Sequence, residues 1–316
     1  MASAKKQITV LTPVFNEADN LLLFQETVEK VLLSSTIYDF KVLFIDDGSQ
    51  DLSWKIIQDI CKRNQRFTGI RLSRNFGSHI ALSAGFREAA GDALSTLACD
   101  LQDPPETILE FLKEWEKGAK IAWGKRKSRE DSFWRVIASK MFFFLISRYA
   151  MPKHSKFTTG SFFLADRQVV DAFLQFHEHN RITFALVAWT GFEQSVVLYD
   201  RKRRIAGSSG WTLNKMLKSM YDTFIGFSDM PIRIVTWLGT CLSLFNIGFS
   251  VYLMMSWFIS KPLSGWTSLM LVISIFFGIH FLLLGLVGEY LRRIYTESVR
   301  RPLYFISDKT EAIAVR

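Results

Sequence analysis

The sequence predicts an α/β protein: a mostly parallel sheet covered by helices, then amphipathic interface helices, then a two-helix transmembrane hairpin. Three observations predict it. Strand-like and helix-like stretches alternate from the N-terminus. Two long apolar runs without charge lie near the C-terminus. Two segments that mix aromatic residues with cations lie between these regions.

The elements follow in order. "QITVLTP" reads as a first strand, and "EADNLLLFQETVEKVLLSS" has helical spacing of its apolar residues. "FKVLFID", "SWKIIQDICKRN", "FTGIRLS", "SHIALSAGFREAAG" and "ALSTLAC" continue the strand–helix alternation. Short apolar runs bounded by turn residues read as buried strands, and this order argues for a parallel sheet with helices on both faces. After "KIAWGKRKSRED" the pattern changes. "SFWRVIASKMFFFLISRYA" (residues 132–150) and "WTLNKMLKSMYDTFIGFS" (211–228) place Phe, Trp and Met among cations, which suits helices lying in a membrane surface. Ile234 to Ile259 and Trp266 to Gly288 carry no formal charge with His280 neutral, and each exceeds the ~20 residues that cross a bilayer core.

The expected organisation is therefore a cytoplasmic domain over 1–210, a juxtamembrane helix over 211–232, a hairpin over 233–290 and a basic tail over 291–316. Lys261 is the one cation in the turn, whereas Arg233, Arg292, Arg293, Arg300 and Arg301 flank the outer ends, so the positive-inside rule predicts cytoplasmic termini. The start "MASAKKQITVLTP" has no apolar h-region, and no cleaved signal is expected. Three scattered cysteines predict a reducing compartment. A net charge of +9 suits anionic lipid as well as nucleic acid, and no aromatic–basic RNA motif is seen, so no nucleic-acid partner is expected.

Four polar clusters fall at successive strand ends: "TPVFNEADN", "IDDGSQD", "LSRNFGSH" and "ACDLQDPPE". Ligands of open α/β sheets bind at the carboxyl ends of strands, so these clusters would ring one site. The local alternative for the last is a polar turn in which Asp103 caps a helix starting near Pro104 and Pro105. No G-x-G-x-x-G or Walker-type phosphate loop is present, so a diphosphate would need a divalent metal and basic side chains. Asp100 and Gln102 offer the hard oxygen atoms that Mg²⁺ or Mn²⁺ takes. The five histidines lack metal-ligand spacing and read as packed or solvated side chains.

"TPVFNE", "IDDGSQD", "RNFG", "DLQDPPE" and "YDRKRRIAGSSGW", in that order, resemble the family 2 glycosyltransferases. The branch resembled is that of polyprenyl-phosphate glycosyltransferases, dolichyl-phosphate mannose synthases and bactoprenol glucosyltransferases with two C-terminal membrane helices. The resemblance implies a GT-A (Rossmann-like) domain and transfer of a sugar from a UDP- or GDP-sugar to a polyprenyl phosphate. It implies that Pro13, Phe15, Glu17, Asp46 and Arg74 hold the nucleotide and that Asp100 and Gln102 hold the metal. Arg126, Arg201 and Arg204, with Ser209 nearby, would meet the phosphates of donor or lipid acceptor.

The chain departs from that pattern in three places. Ala98 stands where many relatives have an acid two residues before the one matching Asp100. Thr158, Thr159, Gly160 and Ser161 supply no acid where many have one, although Asp166 follows in "FFLADR", a form that a branch of the family shares. Gly210 replaces a lysine found after the serine in some relatives. No general base is therefore named. An alcohol acceptor would need one, but a phosphate monoester is already ionised near neutral pH and needs cations instead. The expected function is inverting transfer of glucose from UDP-glucose to a polyprenyl phosphate. The alternatives are a catalytically silent relative acting as a scaffold and a processive polysaccharide synthase, whose Q-x-x-R-W motif is absent. Gly239, Gly248, Gly278 and Gly285 in the hairpin would permit packing into a homo-oligomer.

Overall fold

A computed structural model describes residues 5–127, 161–179, 181–201, 230–259 and 265–310. The proposed interface helices over 132–150 and 211–228 lie outside the described residues, as do Arg204, Ser209, Gly210 and Thr158 to Gly160. The chain divides into two units, one carrying the sheet and ending with the residues from 301 onward, the other covering 221–300.

The sheet unit opens with β1 (Gln7–Val14), α1 (Ala18–Val28, extended by a π turn over Glu29–Leu33), β2 (Asp39–Asp46), α2 (Ser53–Arg63), β3 (Phe67–Leu72) and α3 (Ser78–Glu88). It continues with β4 (Ala93–Thr96), α4 (Glu106–Glu116), β5 (Ile121–Arg126), β6 (Phe163–Asp166), α5 (Arg167–Phe173), α6 (Thr183–Trp189) and β7 (Gln194–Tyr199). A final strand, β8 (Ile306–Lys309), follows the apolar helices in the chain. The eight strands run in the order β7-β5-β6-β4-β1-β2-β3-β8. β1, β2, β3 and β4 are mutually parallel, as are β5 and β7, while β6 and β8 run antiparallel to their neighbours.

Side-chain alternation explains the two layers of helix. Ile8, Val10 and Val14 of β1 join Phe44 of β2 in a core with Phe24, Ile57 and Phe111 of α1, α2 and α4. Leu11 and Ile45 face the other way, toward α3, where a Cβ on Gly85 would come within 3.0 Å of Ile45. Burial on both faces is what makes β1 read as a nearly unbroken apolar run. Pro13 sits in this central strand without loss of a ladder bond. Leu11 and Pro13 face β4, but the β1–β4 ladder ends at Leu11↔Thr96, before the missing N–H would be needed.

The chain runs outward through β2 and β3, then returns to place β4 on the other side of β1. The carboxyl ends of β1 and β4 therefore flank the point where strand order reverses, where such sheets open a crevice.

The second unit holds α7 (Met230–Ile259) and α8 (Trp266–Val299), of 30 and 34 residues. Phe245 of α7 stacks on Phe276 of α8 with centroids 6.3 Å apart. The sequence predicts two spans here. Among the described residues one helical stretch, Ile275–Val299, is long and apolar enough to cross a membrane, and the apolar stretch Ile234–Phe249 is shorter.

Candidate functional site

The ends of β1, β2 and β3 build a cleft of about 460 Å³ lined by Phe15, Gly48, Ser49, Gln50, Arg71, Leu72, Ser73, Arg74, Asn75 and Ser307. Phe15 is 42% exposed, leaving a ring face available for stacking. Asn16 turns the chain after β1 in the left-handed region (φ 53), which Asn tolerates. Its side chain accepts from Gln50 N–H at 2.9 Å, and its own N–H donates to Ser49 Oγ at 3.0 Å. These two bonds tie the β1 turn to the β2 turn. Gly48 (φ +70) is required there, because a Cβ would lie 2.4 Å from the backbone carbon of Arg74.

Two buried carboxylates set the floor. Asp46 is wholly buried, accepts from Ser49 N–H at 3.3 Å and pairs with Arg71 Nε at 3.1 Å. Arg71 also donates to Ser49 O at 2.9 Å. Asp47 accepts from Phe76 N–H (2.8 Å) and Gly77 N–H (2.9 Å), fixing the loop after β3. Burial raises both carboxyls above the ordinary range, against the lowering effect of these bonds and of Arg71 or Arg74. Asp46, expected to hold a nucleotide, thus lies beneath the cleft and reaches its lining through Arg71. Arg74 does line the cleft, with its guanidinium 4.1 Å from the Phe76 ring.

The second part of the site lies at the end of β4. Leu101 has φ 51, an expensive conformation for a leucine, and Asp100 Oδ1 accepts from Gln102 N–H at 3.2 Å across that bend. Burial, then the carboxylates of Glu17 and Asp100, push the Cys99 thiol well up, so both acids act on the same spot. Glu17 follows β1 and Asp100 follows β4, and these two strands are parallel neighbours in the sheet. No group of three or more His, Cys, Asp or Glu side chains suited to a metal occurs among the described residues.

Asp103 is not a helix cap. α4 begins at Glu106 after Pro105, with no side-chain cap. Asp103 instead accepts from Tyr199 OH at 2.6 Å and pairs with Arg201 Nε at 3.7 Å. Burial and the Asp103 charge push the Tyr199 phenol up to about 12, against the lowering effect of the nearby Arg126. A carboxylate, a neutral phenol and two arginines form one network across the ends of β4, β5 and β7. Gly124 makes room for it, since a Cβ there would meet Phe162 and Tyr199 at 3.0 Å. Replacing Tyr199 by Phe is expected to misalign Arg126 and leave Asp103 short of a donor, at a cost of about 1–3 kcal/mol. Thermal unfolding of wild type and variant measures that loss.

Asp166 does not replace the acid missing from the 158–161 segment. β6 runs antiparallel, so Asp166 pairs with Ala93 at the amino end of β4, on the edge of the sheet away from Asp100. There it caps α5 through Gln168 N–H (2.9 Å), accepts from Trp115 Nε1 (2.8 Å) and pairs with Lys120 (3.1 Å). These partners lower its carboxyl despite burial.

His79, just after the "RNFG" turn, is a packed histidine. Its Nδ1 accepts from Thr183 N–H at 3.3 Å, and burial holds its pKa down to about 4. The folded protein refuses a proton that the unfolded chain takes near the ordinary value of 6.5. This contribution to stability is therefore complete above about pH 6.5 and shrinks as pH falls toward 4, by up to about 3 kcal/mol. Melting temperatures at pH 7 and pH 4.5 should show a smaller gap in His79→Gln than in wild type.

Pro13, Phe15, Glu17, Asp46, Arg74, Asp100, Gln102, Arg126 and Arg201 all fall at or beside the carboxyl edge of the sheet. Sequence reasoning did not single out Arg71, Tyr199 or Ser307, and it offered Asp103 only as a cap in the local alternative. "YDRKRR" does contain Tyr199, but its partner is 96 residues away.

Residues 9–174 match the profile of glycosyl transferase family 2. An uncharacterized glycosyltransferase of Synechocystis sp. is 36% identical over 305 residues, spanning 96% of this chain and 95% of that one. The bactoprenol glucosyl transferase of Shigella phage SfV is 30% identical over 96% of this chain and 99% of its own. A prophage-derived bactoprenol glucosyl transferase of Shigella flexneri is 30% identical over 95% and 97%. Among solved structures, mannosyl-3-phosphoglycerate synthase from Rubrobacter xylanophilus matches with a TM-score of 0.47 at 15% identity, over 69% of this chain and 71% of that one. With a matching profile over more than half its length and such relatives end to end, the chain belongs to glycosyl transferase family 2 and is a glycosyltransferase.

Proposed function

We propose that this glycosyltransferase moves one sugar from a nucleotide sugar to a polyprenyl phosphate at a membrane face, with UDP-glucose as the donor. The observation that carries this reading is the end-to-end relation to enzymes named for bactoprenol, a lipid acceptor. The site chemistry supports it. The cleft with Phe15 and Arg74 suits a nucleoside diphosphate, and Asp100 and Glu17 follow the neighbouring strands β4 and β1 at the same sheet edge. Arg126 and Arg201 supply the permanent charges that bind phosphate, with Asp103 and Tyr199 holding them in place.

The reaction needs little else from the protein. A phosphate oxygen of the acceptor forms the new bond to the anomeric carbon as the bond to the donor diphosphate breaks, in one displacement with inversion. The acceptor oxygen is already ionised, so no proton has to be removed. The arginines hold two anionic reactants together against their repulsion. Asp100, Gln102 and the donor phosphates would hold Mg²⁺ or Mn²⁺, which keeps few protein ligands and stabilises a departing diphosphate. Two oxygen-bearing side chains, Asp100 and Gln102, sit together on the bend after β4 and fit that demand.

Chain connectivity supports a membrane hairpin. β8 follows α8 in sequence yet pairs with β3, so the chain leaves the sheet unit after β7 and returns to it. A chain that leaves a water-soluble unit and rejoins it crosses a bilayer an even number of times, which favours two spans over one. The arginine-rich outer flanks favour a cytoplasmic sheet unit.

The test uses detergent-purified protein, polyprenyl phosphate, radiolabelled UDP- and GDP-sugars, and Mg²⁺ or Mn²⁺. Label from UDP-glucose is expected in the organic phase, lost with EDTA, with an inverted anomeric configuration by NMR. Transfer only to a non-lipid acceptor would overturn the acceptor assignment, and transfer from another donor would overturn the choice of sugar.

A further inference from the structure

The strand that follows the apolar helices touches the cleft. β3 and β8 pair as Ile70↔Lys309, Arg71↔Asp308 and Leu72↔Ile306, with a register shift between Arg71 and Leu72. That shift leaves Ser307 as the extra residue of a bulge. A bulge re-aims a side chain, and Ser307 is the β8 residue that lines the cleft. Its Oγ donates to Arg71 O at 3.2 Å, and Ser73 N–H donates to Phe305 O at 2.9 Å. Arg71 and Ser73 are cleft residues themselves, and Arg71 carries the contact on to Asp46 and Ser49. Away from the cleft the strand is anchored by Trp54 Nε1 donating to Asp308 Oδ2 at 3.0 Å and by Gly69 N–H donating to Thr310 Oγ1 at 2.9 Å.

A strand that only covered an open sheet edge would need the ladder and nothing more. Here the ladder is broken where it meets the cleft, and the displaced residue forms part of the lining.

We propose that β8 is a wall of the donor site, with Ser307 a binding residue for the nucleoside diphosphate, so that donor binding and seating of this strand reinforce each other. The proposal rests on reading the cleft as the donor site. It implies that the site is assembled from chain on both sides of the apolar helices, so a catalytic unit cut before α7 would lack one wall. By linkage, a ligand that contacts the seated strand must hold it seated.

The experiment uses the full chain in detergent, with UDP as the probe and Mg²⁺ present, and reads two signals: UDP affinity by calorimetry and hydrogen exchange of the 305–310 amides. In wild type, UDP is expected to slow exchange across 305–310. Asp308→Arg removes the anchor to Trp54 without touching the cleft lining. It should weaken UDP binding about tenfold, as expected for loss of a few hydrogen-bonded contacts. Ser307→Leu keeps the strand but fills its side of the cleft, and should weaken UDP similarly, which guards against misfolding of the first variant. Unchanged UDP affinity in Ser307→Leu, or unchanged exchange in wild type on adding UDP, overturns the proposal. If wild type binds no UDP while transferring sugar from GDP donors, the choice of base is wrong, and the same two readouts with GDP decide the role of the strand. If it binds neither, the reading of the cleft fails, and this proposal with it.

Discussion

Asp100→Ala is expected to lower the rate of sugar transfer by about 10²–10³, the usual effect of removing one preorganised electrostatic group from a reacting centre. The expectation follows from position. Asp100 follows β4 at the point where strand order reverses, is buried, and shares its bend with Gln102. The fold should survive, because the α4 helix and the β4 ladder do not depend on this carboxylate. Initial rates of label transfer, with thermal unfolding as the control, measure the effect. A variant that keeps half the wild-type rate would remove Asp100 from the reacting centre.

Gly48→Ala should produce the largest loss of stability of any single methyl addition at the site. Two costs combine. A non-glycine residue held at φ +70 carries about 1–3 kcal/mol of backbone strain. The new Cβ would also lie 2.4 Å from a backbone carbon of Arg74, and the Asp47 bonds to Phe76 and Gly77 hold that loop in place. Overpacking of this kind adds about 1–3 kcal/mol. The sum, about 2–6 kcal/mol, corresponds to a melting temperature lower by roughly 4 °C or more for a domain of this size. Donor binding should fall as well, since Gly48 and Arg74 both line the cleft. Gly191→Ala is the control for strain. Its φ is similar (+76), but nothing lies within 4 Å of the added Cβ, so only strain is expected. Equal losses in the two variants would show that the close approach at Gly48 does not matter.

The gathering of polar clusters at one sheet edge is legible in the sequence alone. Buried parallel strands leave a local record, because both faces are apolar and the polar residues collect where the strand emerges. "VLFIDDGS" and "ALSTLACDLQD" each carry that record within a few residues, and the strands formed where it places them. The roles of individual acids at those ends were less legible. Asp103 looks like a helix cap in its own neighbourhood, and its actual partners, Tyr199 and Arg201, come from β7 and the residues after it. Asp166 looks like a substitute acid until strand direction is known. The antiparallel run of β6 then carries it to the opposite edge.

β8 shows the same division most clearly. "ISDK" is four residues without apolar alternation, and only the short apolar run "LYFI" after Pro302 marks it within the basic tail. It is a strand because β3 presents an open edge with unpaired backbone groups, a condition set by residues about 240 positions earlier. What the sequence by itself determined about this protein was its periodicities: the order of strands and helices, the two apolar helices, and the set of polar clusters at strand ends. Tertiary structure alone decided strand direction, which acids share a pocket, which arginine supports which carboxylate, and that Ser307 joins the cleft. The physical reason is range. Burial and periodicity are properties of a few consecutive residues, whereas a hydrogen-bond partner or a shared charge depends on which distant segments the sheet brings side by side.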